Sequence, residues 1–168
     1  MVMEAEIRAA ELLNLKNPSY LVYVSHNKLT ASDPQDAKDK SDCGDVIYFP
    51  WDEQRRKYLY PKIVEVKRLS KDNEFAYFQE RTDFRNGVII DGAYQFDRKW
   101  QMPIMYMVFN YPLTHFFTAY PERDFEKWEK KPLPKSSNKK LFYWSKAIDC
   151  NFYSVDEFVK QYSVKKTG

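Results

Sequence analysis

Two strand-like runs around a charged turn constrain this chain most. They are Asp45-Val-Ile-Tyr-Phe49, then Trp51-Asp-Glu-Gln-Arg-Arg-Lys57, then Lys62-Ile-Val-Glu-Val-Lys-Arg68. Both runs are rich in the β-branched and aromatic residues that suit pleated, half-buried strands. Folded back as an antiparallel hairpin centred near Arg55, they set Asp45 opposite Glu65. Side chains alternate along a strand, so Glu65 and Lys67 share one face while Val64 and Val66 take the other and anchor it in a core. Two carboxylates beside an ammonium form a group that can hold a divalent cation and a phosphate. The plain alternative for Glu65 and Lys67 is a charged strand face turned to water.

An acidic residue opening one strand, followed some twenty positions on by hydrophobic-Glu-hydrophobic-Lys, is present as Asp45 and Val64-Glu-Val-Lys67. This pattern resembles the active-site hairpin of the PD-(D/E)xK nuclease superfamily, which includes many small restriction endonucleases; Gly44 stands where that motif has proline. The resemblance implies a metal-dependent DNA endonuclease, of the type II restriction kind, with Asp45, Glu65 and Lys67 as the catalytic group. It implies Mg²⁺ or Mn²⁺ held by Asp45, Glu65 and the Val66 carbonyl, with Glu6 or Glu11 of an N-terminal helix as a further ligand. The implied substrate is double-stranded DNA, and cutting both strands implies a homodimer whose two-fold symmetry matches a palindromic site. Arg55, Arg56, Lys57, Lys71, Tyr58 and Tyr60, with Phe78, are then the candidates for gripping the duplex.

The length of 168 residues fits one domain over residues 1–168 with a sizeable core. With 43% hydrophobic and 30% charged residues the composition is that of a globular chain, so disorder is excluded. The net charge of +3 is too mild to demand an anionic partner by itself. Local clusters matter more: Arg55-Arg56-Lys57, then Lys62, Lys67, Arg68 and Lys71, then the stretch 127–140. Cys43 and Cys150 are far apart and in no zinc spacing, so a disulfide framework and a zinc site are not expected, and a reducing, cytoplasmic setting is. No basic-then-apolar leader opens the sequence, and the longest apolar run, Pro103 to Phe109, is too short to cross a bilayer, so no membrane partner is expected.

Taken in order, Glu4 to Leu15 reads as a helix with Ile7, Ala10 and Leu13 or Leu12 on one side, stopped by Asn17-Pro18. Tyr20 to Val24 reads as a strand. His26 reads as a turn residue, and Thr30 to Gly44 as a polar, aspartate-rich connection in which Asp42 is an alternative metal ligand. Phe75 to Phe78 reads as a strand, and Arg81 to Lys99 leaves two options: Val88-Ile-Ile90 as a strand before an Asp91-Gly92 turn, or a broken helix. Pro103 to Phe109 is a central strand with Leu113 to Tyr120 as its hairpin partner, and a lone strand histidine such as His115 is packed or exposed. Pro121 opens a short helix with Phe125 and Trp128 inward, Lys131 to Asn138 is a loop, and Leu141 to Trp144 is the last strand. Ser154-Val-Asp-Glu157 is a capping box for a final helix carrying Val155, Phe158, Val159 and Tyr162 at helical spacing.

This order predicts an α+β domain around a central mixed or antiparallel sheet flanked by helices, restriction-endonuclease-like in its sequence of elements. Two non-enzymatic alternatives use the same residues. The Gly44 to Phe49 run and the Val-rich strand also look like the start of a PUA-like or SH3-like β-barrel that binds nucleic acid, its aromatics stacking on bases. The other is a protein-interaction or inhibitor module with an aromatic patch.

Overall fold

The structure, a computed structural model, describes residues 4–25, 45–69, 87–99, 101–133 and 139–167, with side chains up to residue 163 in the last segment. His26, the aspartate-rich connection with Asp42, Lys71 and the Phe75 to Phe78 segment lie outside the described residues.

Helix α1 spans Glu4–Lys16 and buries Ala5, Ala9 and Leu12. Its inner stripe therefore differs from the expected one, and Ile7 is 51% exposed. Two alanines on that stripe let the helix axis approach the sheet closely, which a row of large residues would prevent. Strand β1 (Leu21–Val24) pairs antiparallel with β2 (Val46–Phe49), and β2 pairs antiparallel with β5 (Lys62–Arg68). Between them β3 (Trp51–Asp52) and β4 (Lys57–Tyr58) form a two-stranded extension. Its turn is set by the Asp52 carboxylate, which accepts the backbone N–H groups of Gln54 and Arg55, and by Arg56 in the left-handed region at φ 53°.

The segment left with two options is a strand, β6 (Val88–Gly92), running directly into helix α2 (Ala93–Asp97). Asp91-Gly92 is thus a strand end, not a turn. Strand β7 (Met105–Phe109) lies parallel to β5, with Glu65 opposite Tyr106, and folds back antiparallel to β8 (His115–Ala119). After α3 (Pro121–Asp124), a short turn of 3₁₀ helix carries Phe125 to Trp128. Trp128 is buried as expected, while Phe125 stays 37% exposed with its ring stacked on Phe96. Strand β9 (Glu129–Pro132) takes up Lys131 and Pro132, so the expected loop starts later; proline is tolerated because β9 is an edge strand. Strand β10 (Leu141–Ser145) is not the last, since β11 (Asn151–Ser154) follows and pairs with β8. Helix α4 (Val155–Thr167) opens with the Glu157 N–H donating to the Ser154 hydroxyl at 3.4 Å, and it buries Val155 and Phe158.

The result is an α+β domain around a mixed six-stranded sheet of order β1-β2-β5-β7-β8-β11, with a second, three-stranded sheet β6-β10-β9. The alternation of each central strand decides what covers which face. Val46, Val64, Val66, Met107, Phe109 and Phe116 form one core with α1 and α4. Tyr106, Val108, Phe117 and Ala119 face the other way and pack against the layer of β6, α2 and β10 through Val88, Ile90, Phe96 and Tyr143. Among the described residues the large sheet is open, with β1 and β11 at its edges, in contrast to the closed small barrel of the nucleic-acid-binding alternative. No helix among the described residues is long and apolar enough to cross a membrane.

Candidate functional site

The hairpin register is the one expected from the turn. Val46 faces Val64 and Tyr48 faces Lys62, and just before the strand the Asp45 N–H donates to the Val64 carbonyl at 3.3 Å, so two successive residues meet Val64 and the regular ladder stops there. Asp45 still lies beside Glu65, close enough to act on its charge. Asp45 is 3% exposed and Glu65 4%, which rules out the reading of Glu65 as a strand residue turned to water. Asp45 Oδ2 accepts the Val66 N–H at 2.9 Å, so a carboxylate fills the ladder position just past the start of β2. A strand residue sends its N–H and C=O to the same neighbour, and the Val66 carbonyl therefore leaves on the side of Asp45.

Tertiary packing adds residues that the sequence pattern did not single out. Asp91, at the end of β6, is buried and accepts the Tyr106 hydroxyl at 2.7 Å and the Gly92 N–H at 2.8 Å. Lys67 Nζ bridges two carboxylates, lying 3.1 Å from Asp91 Oδ1 and 3.7 Å from Glu65 Oε1. Lys99, its side chain only 5% exposed, places Nζ 3.2 Å from the same Glu65 oxygen. Nothing in the spacing of Asp91, Lys99 or Tyr106 marks them. Tyr106 joins the group because the parallel β5–β7 register sets it beside Glu65, and Asp91 because the second sheet docks on that face.

The electrostatics follow from this crowding. Burial first, and then the neighbouring Asp45, push the Glu65 carboxyl up to about 7, with Lys67 and Lys99 pulling it back down. Burial works against charge on Lys67, but Asp91 and then Glu65 outweigh it and hold the ammonium above its usual value. Burial and Asp91 drive the Tyr106 phenol far up, so it stays a hydrogen-bond donor. Lys67, its side chain 35% exposed, is the member of the group that reaches solvent.

Other expected residues fall elsewhere. α1 docks on the Val64 and Val66 face, and alternation puts Glu65 on the opposite one, so the helix does not bring Glu6 or Glu11 to the pair. Glu11 instead pairs with Arg8 at 3.0 Å. Among the described residues no group of three or more His, Cys, Asp or Glu side chains is placed to hold a metal. The donors that remain, two carboxylates and the Val66 carbonyl, are all oxygen and match what a hard divalent cation takes alongside its waters. Arg55, Arg56, Lys57, Tyr58 and Tyr60 gather at the far tip of the hairpin, Tyr58 packed edge-on to Trp51 and Tyr60 90% exposed. Arg55 lies ten positions along the hairpin arm from Asp45, on the order of 30 Å if fully extended, so the basic tip is not part of the carboxylate group. His115 sits in β8 with its Nδ1 2.9 Å from the Thr114 hydroxyl. No family model matches this chain, and neither a curated protein nor a solved structure matches it.

Proposed function

We propose that this protein hydrolyses DNA phosphodiester bonds as a divalent-metal-dependent endonuclease, with Asp45, Glu65 and Lys67 as its catalytic group. The observation that carries the reading is a juxtaposition: Asp45 and Glu65 are buried beside one another, with Lys67 two residues along the strand from Glu65 and open to solvent. Burying charges this closely is weak as a stabilising device, because desolvation offsets most of the attraction, and apolar residues of similar volume hold a fold as well or better. A charged group kept in such a place is best explained by chemistry.

Asp45, Glu65 and the Val66 carbonyl are the residues that would hold Mg²⁺ or Mn²⁺. When bound, such a cation supplies Lewis-acid polarisation of a phosphate oxygen and makes water more acidic. Lys67 directs its ammonium at the charge that develops on phosphorus, and removal of one such group commonly slows a reaction by about 10²–10³-fold. Asp91 acts as a positioning residue: fixed by Tyr106 and the Gly92 N–H, it holds the Lys67 amine over the carboxylates. Glu65 must give up the proton that burial and Asp45 hold on it before it can take a cation, so proton and cation compete for that carboxylate. Cutting both strands of a duplex with so small a domain calls for a homodimer.

Incubation of supercoiled and linear DNA with Mg²⁺ or Mn²⁺, beside Asp45→Asn, Lys67→Ala and an EDTA control, tests the proposal. Cutting that needs the cation and is lost in both variants is expected. Equal cutting by both variants, or none by the folded wild type on varied substrates, overturns it.

A further inference from the structure

A cavity of about 380 Å³ opens beside Lys67 between β5, β6, α2 and β10, and the proposed hydrolysis does not use it. Its wall has two kinds of surface. Ile89, Leu133 and Phe142 are apolar, whereas Lys67, Arg68, Lys140 and Gln95 supply three cations and a carboxamide, beside the Asp91 carboxylate that Lys67 pairs with. Lys140 Nζ lies over the Phe142 ring, 5.3 Å from its centre, so one face of that ring carries a cation and the other is left for stacking. Gly92 lines the cavity too, and with no side chain there the Gln95 carboxamide lies against the strand end, where a Cβ would push it aside. Gln95 can both donate and accept a hydrogen bond.

We infer that this cavity is a subsite for one unpaired nucleotide of the substrate, its base against Phe142 and Leu133 and its phosphate toward Lys67 and Lys140. The inference rests on the nuclease reading for the identity of the polymer. Its own support is the shape and charge of the cavity. The volume falls within the range of small-ligand sites, roughly 300–1,000 Å³. An apolar slot flanked by cations suits a flat, neutral base joined to an anion, and base stacking on an aromatic wall needs no particular sequence. A nucleotide enters such a slot only when it is out of the helical stack, so the substrate carries a frayed end, a flap or a single-stranded stretch next to the cut. Lys67 is shared: it pairs with Asp91 and Glu65, and together with Asp91 it lines the cavity. A nucleotide seated here therefore has its phosphate beside the catalytic group.

The test is binding of 5′-dAMP by calorimetry in EDTA, compared with deoxyadenosine and with inorganic phosphate. Wild type is set beside Lys140→Glu and Leu133→Asp, both exposed positions where a change leaves the fold intact, as circular dichroism checks. The nucleotide is expected to bind tighter than either half, and each variant to weaken it about tenfold or more. The same variants lose the preference for nicked or flapped DNA over intact blunt duplex. Binding of 5′-dAMP no tighter than phosphate, or unchanged in both variants, overturns the subsite. Asp45→Asn separates the two readings: it binds 5′-dAMP normally if the subsite is right. Nucleotide binding without cleavage removes the nuclease and keeps the site, while cleavage with no nucleotide binding removes the site and keeps the nuclease.

Discussion

The two faces of the six-stranded sheet are made from the same strands and differ at every second residue. On one, Val46, Val64, Val66, Met107 and Phe109 meet the alanine stripe of α1 and the start of α4, with no ionisable side chain among the buried residues of that core. On the other, Asp45, Glu65 and Tyr106 occupy the alternate positions and meet Asp91 and Lys99 from the second layer. The first face is held by apolar burial, at about 1.5–3 kcal/mol for each large side chain. The second is held partly by paired charges whose net worth is small. Apolar packing covers both faces, since Val108, Phe117 and Ala119 meet Phe96 and Tyr143 on the second, and this packing lets the second face keep a costly electrostatic arrangement.

That division can be broken from either side. Phe109→Ala, in the apolar core, is expected to lower unfolding free energy by about 3–5 kcal/mol in a urea titration, and folded Phe109→Ala protein should still cleave DNA at a rate close to wild type. Lys67→Ala should lower cleavage by about 10²–10³-fold, and because it leaves the buried Asp91 without its cation it also lowers the urea midpoint, by less than Phe109→Ala does. Should Lys67→Ala unfold the protein as badly as Phe109→Ala, the separation between the faces is wrong.

Glu65 gives a pH signature of the polar face. Its carboxyl is raised from 4.5 to about 7, so between those values the folded chain keeps a proton that the unfolded chain has released. Stability is therefore fullest below 4.5 and falls as pH rises through about 7, at up to about 1.4 kcal/mol per pH unit for one proton. Thermal unfolding in EDTA from about pH 4.5 to about pH 8 should show this slope, and Glu65→Gln should flatten it. A slope of equal size in Glu65→Gln would place the proton elsewhere.

Asp91→Asn keeps the shape of the Tyr106 contact but removes the charge that holds Lys67. A modest loss of cleavage is expected, together with an alkaline limb of the pH–rate profile shifted to lower pH as the amine loses its partner. A role in packing alone would lower stability and leave the profile in place. The smallest effect belongs to the hairpin tip. Arg55→Glu with Arg56→Glu should change stability by no more than about 0.5 kcal/mol, because both side chains are exposed. Their contribution to DNA binding would appear as a shallower dependence of affinity on salt, with the cleavage rate at saturation unchanged.

Much of the hairpin is legible in the amino-acid sequence. Alternation in Lys62 to Arg68 and the turn around Arg55 lead to the register that sets Val46 against Val64 and so brings Asp45 beside Glu65, because both are local: period-two side chains and a short loop leave one pairing that buries Val64 and Val66. The final helix and its serine cap are legible for the same reason. Elements defined by distant partners are not. Lys131 and Pro132 look like loop by composition, yet pairing with β10 makes them a strand edge, and β11 is a strand because β8 offers it a partner. Ile7 is as apolar as Leu12, and only the close docking of Ala5 and Ala9 decides that it faces out.

What the sequence determined by itself is the pair of carboxylates with its lysine, since a strand's alternation and a hairpin's register need nothing beyond neighbouring residues. What tertiary structure decided is the state of that pair. Asp91, Lys99 and Tyr106 come from other strands and from the segment after α2, and their arrival buries Glu65, raises its carboxyl and ties Lys67 in place. Burial and long-range charge are sums over everything packed nearby, and no window of sequence contains those terms.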